Sequence, residues 1–284
     1  DRHAVSVFKV SGLAPTALLE KIGLRLKPLE NLESVGLTLN HDEQSAWERV
    51  QERFYSLCAK SAAIGKPVFI DAEESWIQPT IDALAESAMR KWNVEEAIVY
   101  NTVQLYRTDR LGYLKSLTKS AGEKGFKIGV KLVRGAYMEK ERERAITHGY
   151  TSPIQPNKTA TDNDFNAALE WCISNLDHVS LCAGSHNEES NAILCQRMDE
   201  IGIDRGDDRI WFAQLLGMSD PISFNLARSN YRVAKYVPYG PIKETIPYLI
   251  RRAEENTSVS GQTSRELELI RRENARRALQ PELE

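Results

Sequence analysis

Short apolar runs rich in β-branched residues alternate with longer helical patterns along almost the whole chain. The runs that read as strands are AVSVFKV (4–10), PVFIDA (67–72), AIVYNTVQ (97–104), KIGVKLV (127–133), VSLCAG (179–184), RIWFAQ (209–214) and VAKYVP (233–238). Helical patterns fall near 42–63, 77–91, 109–123, 137–147, 161–176, 188–201, 222–229 and 243–255, and a charged helix over about 263–278 closes the chain. Near-continuous apolar strands separated by helices predict a parallel sheet covered on both faces. Two folds satisfy that alternation, an open doubly wound sheet and a closed (βα)8 barrel. The open nucleotide-binding fold would carry GxGxxG after its first strand, and the chain has neither that motif nor GxxxxGK[ST]. The barrel is favoured, with residues 1–284 as a single domain. Only seven strands are counted, so an eighth is expected upstream of Asp1. The segment GYTSPIQPNKTATD (149–162) reads as a loop.

At 284 residues the chain can bury a substantial core without disulfide or metal. A net charge of -3 and the lack of a long basic block argue against a nucleic-acid binder, so no nucleic-acid partner is expected. Cys58, Cys172, Cys182 and Cys195 match no metal spacing and suggest a reducing compartment. The sequons at Asn157 and Asn256 then read as chance matches. No apolar run approaches the roughly 20 residues needed to span a bilayer. No secretory signal is visible, although the abrupt opening on a strand leaves room for a missing N-terminal segment. The evenly mixed charges of RELELIRRENARRAL (265–279) read as a solvated or docking face.

Polar side chains collect at the C-terminal ends of the proposed strands, the active-site rim of a barrel. Lys9 ends the first, Asp71 the second and Gln104 the third; Lys131 and Arg134 mark the fourth; Ser185, His186 and Asn187 follow the fifth; Gln214 ends the sixth and Tyr236 the seventh. Each also has a structural reading. Lys9 could snorkel, Asp71 could open the next helix, and His186-Asn187 could cap one. Arg251 and Arg252, four and three residues before Glu255, could form an exposed ion-pair face.

Taken together, VKLVRGAYMEKE (130–141), FIDAEE (69–74), SHN (185–187), FAQLLGMSD (212–220) and KYVPYGPIKETIPYLIRRAEEN (235–256) resemble the proline dehydrogenase family. The resemblance runs in the family's order over nearly the whole chain. It implies a distorted (βα)8 barrel that holds FAD non-covalently and oxidises L-proline to Δ1-pyrroline-5-carboxylate. Hydride would pass from proline C5 to flavin N5, the first step of proline catabolism. It further implies that the last barrel helix lies over the mouth, with Arg251 and Arg252 clamping the proline carboxylate and Glu255 holding that fork.

By the same resemblance, Lys9 lies near the carboxylate and flavin, Asp71 orders the cationic cluster, and Lys131 stands near flavin N5. Many members carry KLVR as RLVK, so Lys131 and Arg134 exchange the two cation types. Ala72, Gln104, Arg134, Gly135, Ala136, Ser185, His186, Asn187 and Gln214 match cofactor contacts. Tyr137, Leu215, Tyr236 and Tyr248 match walls of the proline pocket. No metal is implied. A quinone would be the electron acceptor, reached by peripheral membrane contact. The location would be cytoplasmic or at the inner membrane in a bacterium, and the mitochondrial matrix side in a eukaryote.

Three other readings stay open on the sequence. A hydroxyproline dehydrogenase could use the same residues, although the bulk of Tyr236 beside proline C4 favours proline. A Schiff-base lyase or aldolase could use Lys131 as its nucleophile. A binding protein could have kept the barrel alone.

Overall fold

The computed structural model describes residues 5–27, 29, 32, 39–243, 245–246, 248–250, 271–272 and 274–275. Seven strands form one sheet: β1 (Ser6–Lys9), β2 (Val68–Asp71), β3 (Val99–Gln104), β4 (Ile128–Val133), β5 (Val179–Gly184), β6 (Ile210–Leu215) and β7 (Val233–Tyr236). Their spatial order equals their chain order, and the pairs from β1–β2 to β5–β6 are parallel. The Phe212 N–H donates to Arg232 O and the Leu216 N–H to Tyr236 O, so β7 advances in step with β6. Consecutive parallel order is the barrel alternative of the sequence reading, because a doubly wound sheet reverses its order at a switch point.

The helices are α1 (Thr16–Gly23), α2 (His41–Ala63), α3 (Gln78–Trp92), α4 (Arg110–Lys124), α5 (Met138–His148), α6 (Lys158–Ile173), α7 (Glu188–Glu200) and α8 (Asp220–Arg228). Asn40 and Glu43 close a capping box on α2. The sequence reading omitted α1, whose eight residues give too few turns for a clear period. It also began α6 too late. Asn157 caps that helix by accepting from the Ala160 N–H, so the loop ends at 157 rather than 162. Described residues among 242–250 are helical, as are 271, 272, 274 and 275. Arg251, Arg252, Glu255, the Asn256 sequon and most of the proposed closing helix lie outside the described residues.

The chain divides into two compact units. The first comprises Asp1–Gln214 and Asp220–Ala234; the second comprises Leu215–Ser219 and Lys235–Glu284. Within the first, strand side chains alternate between two faces. Val68, Ile70, Val99, Val103, Ile128, Val130, Leu132, Leu181 and Phe212 pack against the helices in the main core. Phe69, Tyr100, Cys182 and Trp211 point the other way and form a second cluster. Gly129 belongs to that inner face, and a Cβ there would lie 2.6 Å from the Tyr100 ring. The period of two puts Asp71 on the face of Phe69, Lys131 on that of Gly129, and Gln104 on that of Tyr100. Arg134 falls on the helix side.

Candidate active site

Lys9 is the last residue of β1 and Asp71 the last of β2, and the sheet register sets them side by side. Lys9 is exposed at the strand end, and its Nζ donates to Tyr137 Oη at 2.7 Å. Lys131, two strands along, donates to Asp71 Oδ1 in a close ion pair. Only 12% of the Lys131 side chain and 15% of the Asp71 side chain remain exposed, so the pair is largely withdrawn from water. Helix α3 starts seven residues beyond Asp71, which rules out the helix-start reading of that carboxylate. The protein mass around Lys9 disfavours its charge, but Tyr137, Asp71 and Glu73 outweigh that and hold its pKa above the ordinary lysine value. Burial raises the pKa of Tyr137, against the pull of Lys9, so the phenol stays protonated at neutral pH.

The segment after Asp71 is tied down on several sides. Glu73 is buried; its N–H donates to Gln78 Oε1 at 2.9 Å, and its carbonyl accepts from Gln104 Nε2 at 2.7 Å. The Glu73 carboxylate accepts from the Ser11 N–H at 2.9 Å and from the Ser11 hydroxyl. Glu141, fully buried on α5, accepts at 2.6 Å from both the Ser75 N–H and the Ser75 hydroxyl. Ala72 is buried within this tied segment.

A second polar group gathers around Arg134. Its Nε donates to Asp162 Oδ1 at 2.6 Å, Nη1 to Ser185 Oγ at 2.7 Å and Nη2 to Ser190 Oγ at 2.9 Å. The guanidinium lies 4.4 Å from the Phe165 ring centre. Asn187 caps α7 by accepting from the Ser190 N–H, which bears out the capping reading for that residue. Its own N–H donates to Ser185 Oγ at 3.1 Å, and His186 between them is half-buried. Gln214 is buried, with its amide engaged by Ser185 O and Ser223 Oγ. Gly135 and Ala136 are exposed between these groups. Gly135 has φ 143°, and a Cβ would meet the Tyr106 ring at 2.4 Å, so only glycine fits there.

In the second unit, the rings of Tyr236 and Tyr248 lie 5.9 Å apart at an interplanar angle of 40°. Lys235 Nζ donates to Met218 O at 2.7 Å, pinning the turn that follows Leu215, itself half-buried.

Sequence reasoning missed Glu73, Glu141, Asp162 and Ser190. An acid beside a helix start looks like a dipole partner until the fold shows what it reaches. Two clefts, of about 110 and 310 Å³, open at the opposite, N-terminal ends of the strands, around Glu96, Ser180, Asp208 and Arg209. They hold none of the strand-end site residues described above.

These features define an α/β protein of the parallel-barrel type with lysines, a carboxylate and a tyrosine gathered at its strand ends. A family model described as "Proline dehydrogenase" matches residues 6–265, and the chain belongs to that family. It is 39% identical over 249 residues to proline dehydrogenase 1, mitochondrial, of Homo sapiens, covering 87% of this chain and 42% of that protein. It is 37% identical over 253 residues to the hydroxyproline dehydrogenase of Xenopus laevis, covering 88% and 54%. The fold matches proline utilization A of Bdellovibrio bacteriovorus with a TM-score of 0.75 at 21% identity, over 89% of this chain and 24% of that one. The chain thus spans less than half the length of the human relative it matches. No helix among the described residues is long and apolar enough to cross a membrane.

Proposed function

We propose that the chain oxidises L-proline to Δ1-pyrroline-5-carboxylate with FAD as its cofactor. The observation that carries this reading is the Lys9–Tyr137 and Lys131–Asp71 arrangement at the ends of β1, β2 and β4. The donor set suits a flavin nucleotide: two cations, Lys131 and Arg134, hydroxyl and amide groups at Ser185, Gln104 and Gln214, and the open backbone of Gly135 and Ala136. His186, Asn187 and Ala72 complete the proposed cofactor contacts. When bound, the flavin supplies the two-electron acceptor.

The remaining work falls to the chain. Lys9 offers an ammonium to the substrate carboxylate, and Tyr137 fixes the direction of that ammonium. Arg251, Arg252 and Glu255 are proposed to complete carboxylate binding, and Leu215, Tyr236 and Tyr248 to enclose the ring. The substrate amine must be neutral when hydrogen leaves C5, because its lone pair forms the imine. Among the described residues the charges of Lys9 and Lys131 are matched by Asp71 and Glu73. The excess positive charge expected of this site would therefore come from Arg251 and Arg252. Lys131 donates to Asp71, which engages the nitrogen that a Schiff base would need.

We further propose a quinone acceptor reached by peripheral membrane contact, and the bacterial or mitochondrial location that follows from it. Likeness to a hydroxyproline dehydrogenase makes that substrate the second reading. The deciding experiment is anaerobic titration of the FAD-loaded protein with L-proline and, separately, with hydroxyproline. Bleaching of the flavin absorbance by proline supports the proposal. A flavin unaffected by either substrate, with borohydride trapping of a carbonyl compound on Lys131, would replace it with the lyase reading.

A further inference from the structure

The β1 strand is an edge strand among the described residues, paired only with β2. It is four residues long, and Lys9 is its last residue. The chain then enters a 3-10 turn, Val10–Gly12, with no side-chain cap of its own. The first N–H groups of such a turn need an outside partner. Glu73 supplies one from the neighbouring strand's exit, taking both the N–H and the hydroxyl of Ser11 on its two carboxylate oxygens. Its backbone is meanwhile fixed by Gln78 and Gln104. The strand end bearing Lys9 and the strand end bearing Asp71 are thereby stapled together above the last sheet pair.

We propose that Glu73 is a positioning residue for Lys9, setting where the ammonium stands and adding a negative charge to its surroundings. The proposal rests on Lys9 serving the substrate site. Lys9 is faced by Tyr137 from the β4–α5 connection, by Asp71 from β2 and by Glu73 from the β2–α3 connection. Asp71 acts on Lys9 as well and is shared with Lys131 through their ion pair. Glu73 bonds only to neutral Ser11 donors in the contacts above, so its charge acts on Lys9 without a matching cation on its own carboxylate. Two neutral donors hold the carboxylate in place, and its negative charge is one of those that act on Lys9.

Two variants separate charge from geometry. Glu73→Gln keeps the shape and removes the charge; Ser11→Ala keeps the charge and removes one bond of the staple. The first readout needs no turnover: the rate of Lys9 acylation by an amine-reactive ester, followed by mass spectrometry across pH. In Glu73→Gln the midpoint of Lys9 reactivity should fall by on the order of half a pH unit. In Ser11→Ala it should stay near the wild-type value. The second readout is proline kinetics, where both variants should raise KM roughly fivefold with kcat changed less than about twofold. The alkaline limb of kcat/KM should move down in Glu73→Gln alone. A Lys9 midpoint unmoved in Glu73→Gln, or a wild-type KM in both variants, would overturn the proposal. Absence of proline oxidation in the wild type, with the Lys9 midpoint shifted as expected, would instead sink the substrate reading and leave the control of Lys9 by Glu73 standing.

Discussion

Asp71 is the residue on which the described site turns, because it answers Lys131 directly and borders Lys9 in the register. Removing it leaves an ammonium largely withdrawn from water with no counter-charge, and Lys131 must then reorient or draw in water. A lost charge-assisted hydrogen bond of this kind is about 1.5–3 kcal/mol, on the order of a 10- to 100-fold loss. Asp71→Ala should therefore lower kcat/KM for proline by that factor while flavin absorbance remains with the protein. Full activity with only a lowered Tm would show that Asp71 merely stabilises the sheet end. Tyr236 is the residue proposed to carry the choice of substrate. It ends β7 and shares a ring contact with Tyr248. A hydroxyl on proline C4 facing that ring would collide or stay unpaired, a penalty of about 1–3 kcal/mol. Tyr236→Ser should shift the kcat/KM ratio toward hydroxyproline and weaken proline turnover through lost packing. An unchanged ratio would mean that Tyr236 does not border C4. At this scale the strand-end residues were legible because strand boundaries are marked by turns and polarity. The partners were not: nothing in DAEE says that Asp71 reaches Lys131 and Glu73 reaches Ser11.

Between helices α3 and α4 lies a charged group that no sequence pattern announced. Arg110 is buried, donates to Asp82 through two nitrogens at 2.9 and 3.0 Å, and stacks 3.9 Å from the Tyr113 ring centre. Asp82 also accepts from Asn101 on β3 and from Gln78, so it links the helices to the sheet and to the backbone of Glu73. Glu86 accepts from Tyr113 Oη at 2.9 Å and pairs with Arg90. Burial, with Asp82 nearby, raises its pKa from the ordinary 4.5 to about 7. A carboxyl whose folded pKa is raised binds its proton more tightly in the native state. Its contribution is therefore fully present below about pH 4.5 and is lost as pH rises toward about 7. Glu86→Gln keeps an acceptor for Tyr113 without a charge to bury. Its stability, measured by urea unfolding, should not fall between pH 5 and about 7 as the wild type's does, and it should exceed the wild type at pH 7.5. Parallel pH curves would place the titration elsewhere. The helical period called α3 and α4 as elements. It could not show that Asp82, Glu86 and Arg110, which look like solvent-facing charges, turn inward, because that depends on the partner helix.

For the chain as a whole, the alternation of strands and helices was the legible part. Seven strands stand where their β-branched runs predicted, and chain order became spatial order because each crossover returns to the neighbouring position. What lay beyond reach was the split into two units, since it depends on contact density and no linker composition marks it. That split bears on how a cofactor should act. The first unit supplies both cation groups, around Lys131 and Arg134, and nearly all of the core. A ligand that binds only the folded state stabilises it by RT ln(1 + [L]/Kd), which is about 2.7 kcal/mol at a hundredfold excess over Kd. For a chain of this size each kcal/mol raises Tm by about 2–4 °C, so FAD at that excess should raise it by roughly 5–11 °C. Calorimetry with and without FAD measures this directly. The transition that moves should be the one carrying most of the unfolding enthalpy, because the first unit holds both the proposed cofactor groups and the core. A Tm unchanged by FAD at any concentration would mean that the folded chain does not hold the nucleotide, and the assignment of Lys131, Arg134, Gly135 and Ser185 to it would fall.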